Sequence, residues 1–293
     1  MEGVSSLGVT PGFQEFSLTP GETYSGSITV VNSSLDTETP VNFLAFTAPF
    51  SVSGEDYTIS FEEENDFTQL SKWITIEKPS GSAFGQELIE IPFTITVPED
   101  ALGGGQYAAI IVRAATEENT SEGNKIGFNR QVASIIYASV AGETTVSGEI
   151  VENNIPNFFF SSPISTSSLV KNDGNVHAES TYTMKIFPLF SDEELYSTEE
   201  TPKANIIIPK TTLLTSSSWD ETPQLGIFRV VQTVSAFGHT STNERTVFVC
   251  PLWFLTLWII FIIAGVGWVF SNSRARKKAA HRAKKYNIPQ ISR

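Results

Sequence analysis

Residues 87–114 read ELIEIPFTITVPEDALGGGQYAAIIVRA. An alternating apolar run leads through a corner of proline, acids and glycines into a second run that is apolar almost throughout, which is the signature of two strands joined by a turn. Working outward, the same texture recurs upstream in YSGSITVVN (24–32), DYTISF (56–61) and KWITIE (72–77), and downstream in RQVASIIYASV (130–140). Turn-formers separate these runs: TPGE (19–22), NSSLD (32–36) and PSGS (79–82). Strands punctuated this closely, with no βαβ alternation, predict an all-β fold of antiparallel sandwiches.

A weak internal repeat predicts two copies. ITVP (95–98) precedes GQY (105–107) and an apolar strand, while IIIP (206–209) precedes GIF (226–228) and RVVQTV. VVN (30–32) is matched by VKNDGN (170–175). The expectation is two tandem Ig-like antiparallel β-sandwich domains, 1–145 and 146–249, with the boundary near AGETTVSG (141–148). Glycines in GGGQY permit a tight corner, so Tyr107 is expected to turn its hydroxyl back onto that corner's backbone. Phe228 holds the corresponding place without a hydroxyl. The acidic stretch ATEENTSEGN (115–124) is expected to be a projecting hairpin loop.

Beyond the strands, PLWFLTLWIIFIIAGVGWVF (251–270) has no charged side chain over twenty positions. As a helix it would cover about 30 Å of hydrocarbon, so 250–271 is expected to be a single transmembrane helix. Trp253 and Trp268 sit near its ends, where indoles favour the interface. Residues 272–293 form a basic tail, and 271–293 hold eight Lys and Arg with no acid. Residues 1–250 hold 11 basic and 32 acidic side chains. Basic flanks stay on the cytoplasmic side, which predicts a single-pass plasma-membrane protein with its N-terminal domains extracytoplasmic and its C-terminus cytoplasmic. Export needs a signal, yet MEGVSSLGVTPGF has neither a basic opening nor an apolar core, so a signal peptide is expected to have been removed from this numbering. A tail-anchored protein facing the cytosol would reverse the charge rule.

Composition excludes several chemistries. One cysteine, Cys250, forbids an intrachain disulfide and Cys-pair metal sites. A net charge of −13 disfavours nucleic acid as a partner. The histidines are His177, His239 and His281, with His177 beside a turn in KNDGNVH and expected to be a surface or turn-stabilising residue. Ser168 and Lys171 fit SxxK, and Lys210-Thr211-Thr212 faintly follows a KTG element, but SLVKNDGN reads as a strand entering a turn where such a nucleophile opens a helix. No catalytic residue, cofactor or metal site is expected. Glu55-Asp56, Glu62-Glu63-Glu64 with Asp66, Asp192-Glu193-Glu194 and Glu199-Glu200 read as solvated loop charge, with calcium binding left open.

Two tryptophans are the candidate ligand-binding residues, as sugar-stacking platforms. Trp73 alternates with Thr75 and Glu77 along KWITIE, opposite Ile74 and Ile76, which puts its ring on the more polar side of a strand. Trp219 lies in SSSWDETP, read as a loop. The competing role for each is the ordinary one of a tryptophan packed in a sandwich core.

Taken together, LTPGETYSGSITVVN, KWITIEKPSG, IPFTITVPEDALGGGQYAAIIV, KNDGNVH, the span and the basic tail resemble the bacterial WxL-interacting proteins. The resemblance covers most of the chain and is carried best by PEDALGGGQYAAIIV (98–112) and VKNDGNVH (170–177). It implies a first module that contacts peptidoglycan and a second that contacts other surface proteins or a host. The resulting expectation is a non-catalytic envelope protein that binds cell wall, surface proteins or both. The alternative is an accessory or scaffold subunit of a membrane-anchored assembly such as a pilus or transport complex. Membrane partners would then use the small-residue face of Ala264, Gly265 and Gly267.

Overall fold

The computed structural model describes residues 7–114, 131–198 and 204–285, with side chains described through residue 278. The expected hairpin at 115–124, Glu199-Glu200 and the side chain of His281 lie outside the described residues. In the first sandwich, one sheet has the order β1 (Leu7–Thr10), β3 (Thr23–Asn32), β9 (Leu88–Thr96), β7 (Ile74–Ile76). It faces β2 (Phe13–Leu18), β11 (Gln131–Val140), β10 (Gly104–Ala114), β4 (Val41–Pro49), β8 (Ser80–Ala83). A small hairpin, β5 (Ser51–Ser53) with β6 (Thr58–Ser60), and a single helical turn, α1 (Leu70–Trp73), complete it.

The second sandwich packs β12 (Gly148–Asn154), β14 (Ile164–Asn172) and β18 (Thr212–Trp219) against β13 (Phe158–Phe159), β20 (His239–Val249), β19 (Gly226–Ala236) and β15 (Ala178–Pro188). Two short strands, β16 (Tyr196–Ser197) and β17 (Asn205–Ile207), also pair with β15. The chain is thus all-β, two Ig-like sandwiches in tandem, followed by one long apolar helix, α2 (Leu252–Lys285). Each sandwich buries the inward set of its alternating strands, Ile28, Val30, Ile91, Phe93, Ile110 and Ile136 in the first and Ile164, Met184, Ile186, Val230, Val234 and Val247 in the second.

The sequence repeat is a repeated topology. In both copies a short early strand runs parallel to the last strand, β2 along β11 and β13 along β20. It is also a repeated corner. Asn32 and Asn172, which end β3 and β14, are both fully buried. Asn32 donates through Nδ2 to Ala83 O (2.9 Å) and accepts from Ser34 N (3.1 Å). Asn172 donates to Ile207 O (2.8 Å) and Val176 O (2.9 Å) and accepts from Gly174 N (2.9 Å). Opposite each asparagine stands a left-handed residue, Gln86 (φ 67°) or Lys210 (φ 61°), whose N–H bonds the asparagine carbonyl. The buried amide supplies donors to carbonyls that the ladder leaves over at the strand end.

A second shared device is an aromatic ring lying over a glycine two residues earlier on the same strand. A Cβ at Gly226 would sit 2.6 Å from the Phe228 ring, and one at Gly105 would sit 2.0 Å from the Tyr107 hydroxyl. Gly226→Ala is therefore expected to destabilise the second sandwich by about 1–3 kcal/mol through overpacking. Gly12→Ala, which meets nothing within 4 Å, should leave the melting temperature unchanged. Equal melting temperatures for the two variants would refute the overpacking account.

Three expectations are corrected. Trp219 is not in a loop: it closes β18, is 7% exposed, stacks on Tyr196 and meets Phe228 edge-on at 5.5 Å. Trp73 does not alternate along a strand. It ends the one-turn helix α1 just before β7, and its half-buried ring packs on the first core. The Tyr107 ring folds back over Gly105 of its own corner, but its hydroxyl finds its hydrogen-bond partner in His177 of the second sandwich, 3.3 Å away.

Candidate binding face

A strand in a two-layer sandwich normally buries one face and wets the other. In β10 every residue from Gly104 to Val112 is buried, because both alternating sets of QYAAIIVRA are apolar. Ala108, Ile110 and Val112 point into the sandwich core. Ala109 and Ile111 point outward and form a second cluster with Ala48, rimmed by Phe46, Phe61, Ala133 and Ile135. Register aligns the outer face in rows: Phe46, Ile111 and Ala133 in one, and Ala48, Ala109, Ile135 and Phe13 in the next. Phe13 (57% exposed) and Leu44 (46%) leave apolar surface open at its margins. Arg113 lies over the Phe46 ring at 5.0 Å and bonds Gln131.

The second sandwich shows what the same position looks like without that face. There β19 alternates, burying Phe228, Val230, Gln232, Val234 and Ala236. Its outward residues include Thr233 and Ser235, which pair with Thr242 and Thr240 across the hairpin. The outer sheet is thus apolar in the first copy and mixed in the second, and in the first its centre at Ala48, Ala109 and Ile111 is at most 5% exposed, which leaves the margins at Phe13 and Leu44 as its open apolar surface. An open strand edge adjoins it. The pairing of β2 with β11 begins at Phe13 opposite Ile135, so Gln131, Val132 and Ala133 have no strand partner on that side among the described residues. Unpaired edge groups are what an added strand completes.

The outer face runs into the seam between the sandwiches. Tyr107 (0% exposed), Phe50, Val52 and Ile208 form one buried cluster that draws on both domains. Tyr57 donates its hydroxyl to Ile206 O (2.7 Å) and accepts from Ile208 N (3.2 Å). Gly104, at φ 132°, brings the corner against Asn175, whose carbonyl accepts from Gly105 N at 2.6 Å. Leu214 N donates to Glu55 O across the same junction. The Tyr107, Tyr137 and His177 rings meet at 5.7–5.8 Å.

Burial raises the Tyr57 and Tyr107 hydroxyls well above the ordinary tyrosine value and lowers the His177 imidazole below 6.5. Glu15 and Glu179 act on His177 in the opposite sense. With the folded value depressed, the unfolded chain takes up the proton first as pH falls through about 6.5, so stability present above that value is lost below it. Lowering the pH from 7.5 to 5.5 should lower the amide-exchange protection factors, the rates corrected for the intrinsic pH dependence of exchange, of Gly105 and Ile208 in the native chain. It should do so less in His177→Gln, and an equal response would remove His177 as the cause.

His177 is thus a half-buried interdomain residue rather than the surface or turn residue expected. Ser168 is buried in β14 with its hydroxyl on Glu152 O. Lys171, three residues along the same strand, projects from the opposite face and pairs with Asp173 at 2.8 Å. Lys210 donates to Asp173 O. His239 opens β20 on the exposed surface. Among the described residues no three His, Cys, Asp or Glu side chains converge as a metal site would require. Trp219 is buried against Tyr196 and Phe228, and Trp73 offers only part of its ring. The outer face, missed in the sequence, had a signal in the contrast between QYAAIIVRA and GIFRVVQTVSA.

No family model matches the sequence, and no curated protein matches it. Among solved structures the chain is similar to the class 5 fimbriae chaperone CfaA, at 14% identity, covering 84% of this chain and 100% of that one, with a TM-score of 0.39. It is similar to a chain of a chaperone–tip adhesin complex of CFA/I fimbriae biogenesis, at 13% identity, 82% and 99% coverage and a TM-score of 0.41. A chain from the Salmonella enterica SafA pilin–SafB chaperone complex follows at 8% identity, 84% and 97% coverage and a TM-score of 0.39. At such identities and scores, no ligand or partner passes from these proteins to this chain.

Proposed function

We propose that the chain is a non-catalytic, membrane-anchored binding protein whose first sandwich holds an extended segment of another cell-surface protein. The segment would lie along the open edge of β11 and over the apolar outer face. The observation that carries this reading is the outer face of the first sandwich, apolar along β10 and open at Phe13 and Leu44, where the matching strand of the second includes Arg229, Thr233 and Ser235 among its outward residues. Main-chain pairing at Gln131–Ala133 would supply affinity, and apolar contact with Phe13 and Leu44 would select side chains. The apolar helix α2 would anchor the chain, with the basic tail on the cytoplasmic side and both sandwiches outside. The resemblance to WxL-interacting proteins supports a surface location and leaves peptidoglycan as the second ligand to test.

Photo-crosslinking in intact cells tests this reading. A photoreactive phenylalanine at Phe13 or Leu44 is expected to give one discrete adduct, mapping to an extended segment of a surface protein. The same probe at Thr233, on the equivalent face of the second sandwich, should not give it. Adducts that do not differ between the faces would sink the proposal. Retention of the full chain on purified wall, with no adduct at Phe13 or Leu44, would favour peptidoglycan instead.

A further inference from the structure

The second sandwich has two unlike poles. One, where β14 ends and β15 begins, meets the first sandwich through Asn175, His177 and Ile208. At the other, β15, β18 and β20 end and β14 and β19 begin, so the loops 160–163, 189–195 and 220–225 gather around the exit to α2. That exit is short. Cys250 N is still bonded to Phe159 O beside β20, and α2 opens at Leu252. Three Cα steps from Val249 to Leu252 reach no more than about 11 Å.

This pole is apolar and uncovered. Phe190 at a loop tip is 96% exposed; Phe160, Leu225, Phe248, Ile227 and Phe158 are 40–53% exposed. The Phe158 and Phe160 rings meet at 4.9 Å. Of the carboxylates on these loops, Asp192 pairs with Arg229, which also lies over the Phe187 ring, and Glu194 pairs with Lys185. Glu193, Asp220 and Glu221 have no cation partner among the described residues. Loops that expose phenylalanine and leucine to water at one pole, and only there beside an apolar helix, have the composition of an interfacial surface.

We propose that this collar docks into the headgroup layer of the bilayer that α2 crosses, so the second sandwich is seated on the membrane rather than tethered above it. The proposal rests on the anchoring read above. The short exit argues for lipid as the occupant: the end of β20, around which these loops gather, lies within about 11 Å of the helix start, so the pole cannot stand far above the polar zone of a leaflet, which is roughly 5–8 Å deep. The unpaired acids argue for a zwitterionic rather than an anionic surface.

The test uses the full chain with Cys250→Ser, reconstituted in phosphatidylcholine vesicles. Single nitroxides are placed through Phe190→Cys, Leu225→Cys, Thr240→Cys and Phe261→Cys, and collision with oxygen is compared with collision with a water-soluble nickel complex. Positions 190 and 225 are expected to meet nickel at least threefold less often than 240, which sits at the far pole. Nickel access at 190 and 225 equal to that at 240, with 261 shielded, would overturn the docking while leaving the anchor intact. Free nickel access at 261 would remove the anchor, and the docking with it. Dipolar broadening at 190 would show a second copy over the collar in place of lipid, and would likewise overturn it.

Discussion

Tyr107→Ala is expected to destabilise the chain by about 3–5 kcal/mol, the range for deleting a large aromatic side chain that the surroundings cannot close over. The ring is 0% exposed and meets Tyr137 and His177 edge-on at 5.8 Å, so its removal opens a void shared by both sandwiches. Neighbours are ill placed to collapse, because Phe50 and Ile208 belong to different domains held by their own sheets. Tyr107→Phe keeps the ring and loses only the bond to His177, for about 1 kcal/mol. Urea unfolding in detergent, read by circular dichroism, separates the variants. A loss below about 1 kcal/mol for Tyr107→Ala would mean that the seam is not packed as described.

Asn172→Ala should cost about 3 kcal/mol or more, although no catalytic or ligand role attaches to the residue. The side chain is 0% exposed, and its removal leaves Val176 O, Ile207 O and Gly174 N without their partner in a site closed to water. Each orphaned group carries a desolvation penalty of about 1–3 kcal/mol, and the sum falls short of three full penalties because the backbone relaxes. Asn32→Ala, with one carbonyl and one amide released, should lose less. If Asn32→Ala proves the more damaging, the hydrogen-bond account of the paired corners fails.

Much of this was legible because it depends on neighbours in sequence. Period-two runs such as EIPFTITV, the turn clusters and the repeated VVN and VKN stretches encode strands, corners and duplication directly, since side chains two apart share a face. The long apolar helix is legible for the same reason, as an unbroken run, and α2 buries none of its apolar window against the sandwiches. What failed is what depends on contacts distant in the chain. Nothing local to GGGQY says that His177, 70 residues on, will stand opposite the Tyr107 hydroxyl. KWITIE alternates and so suggests a strand face for Trp73, but Ser71 and Lys72 close i to i+3 bonds that turn α1 before the strand begins. Trp219 follows three serines that look like a loop, and only the pairing of β18 with β14 makes them a strand. The outer face of β10 was half visible: a strand apolar on both sides must be covered on both, yet the covering partner is not written in the strand itself.

The shared cluster of Phe50, Val52, Tyr107 and Ile208 has a bearing on dissection. A fragment cut near residue 145 would bare the Tyr107 ring and strip Tyr57 of the acceptor and donor it finds at Ile206 and Ile208. Neither half would then be a faithful surrogate for the whole. Calorimetry of the intact chain is expected to register one melting event where two independent beads on a string would register a pair.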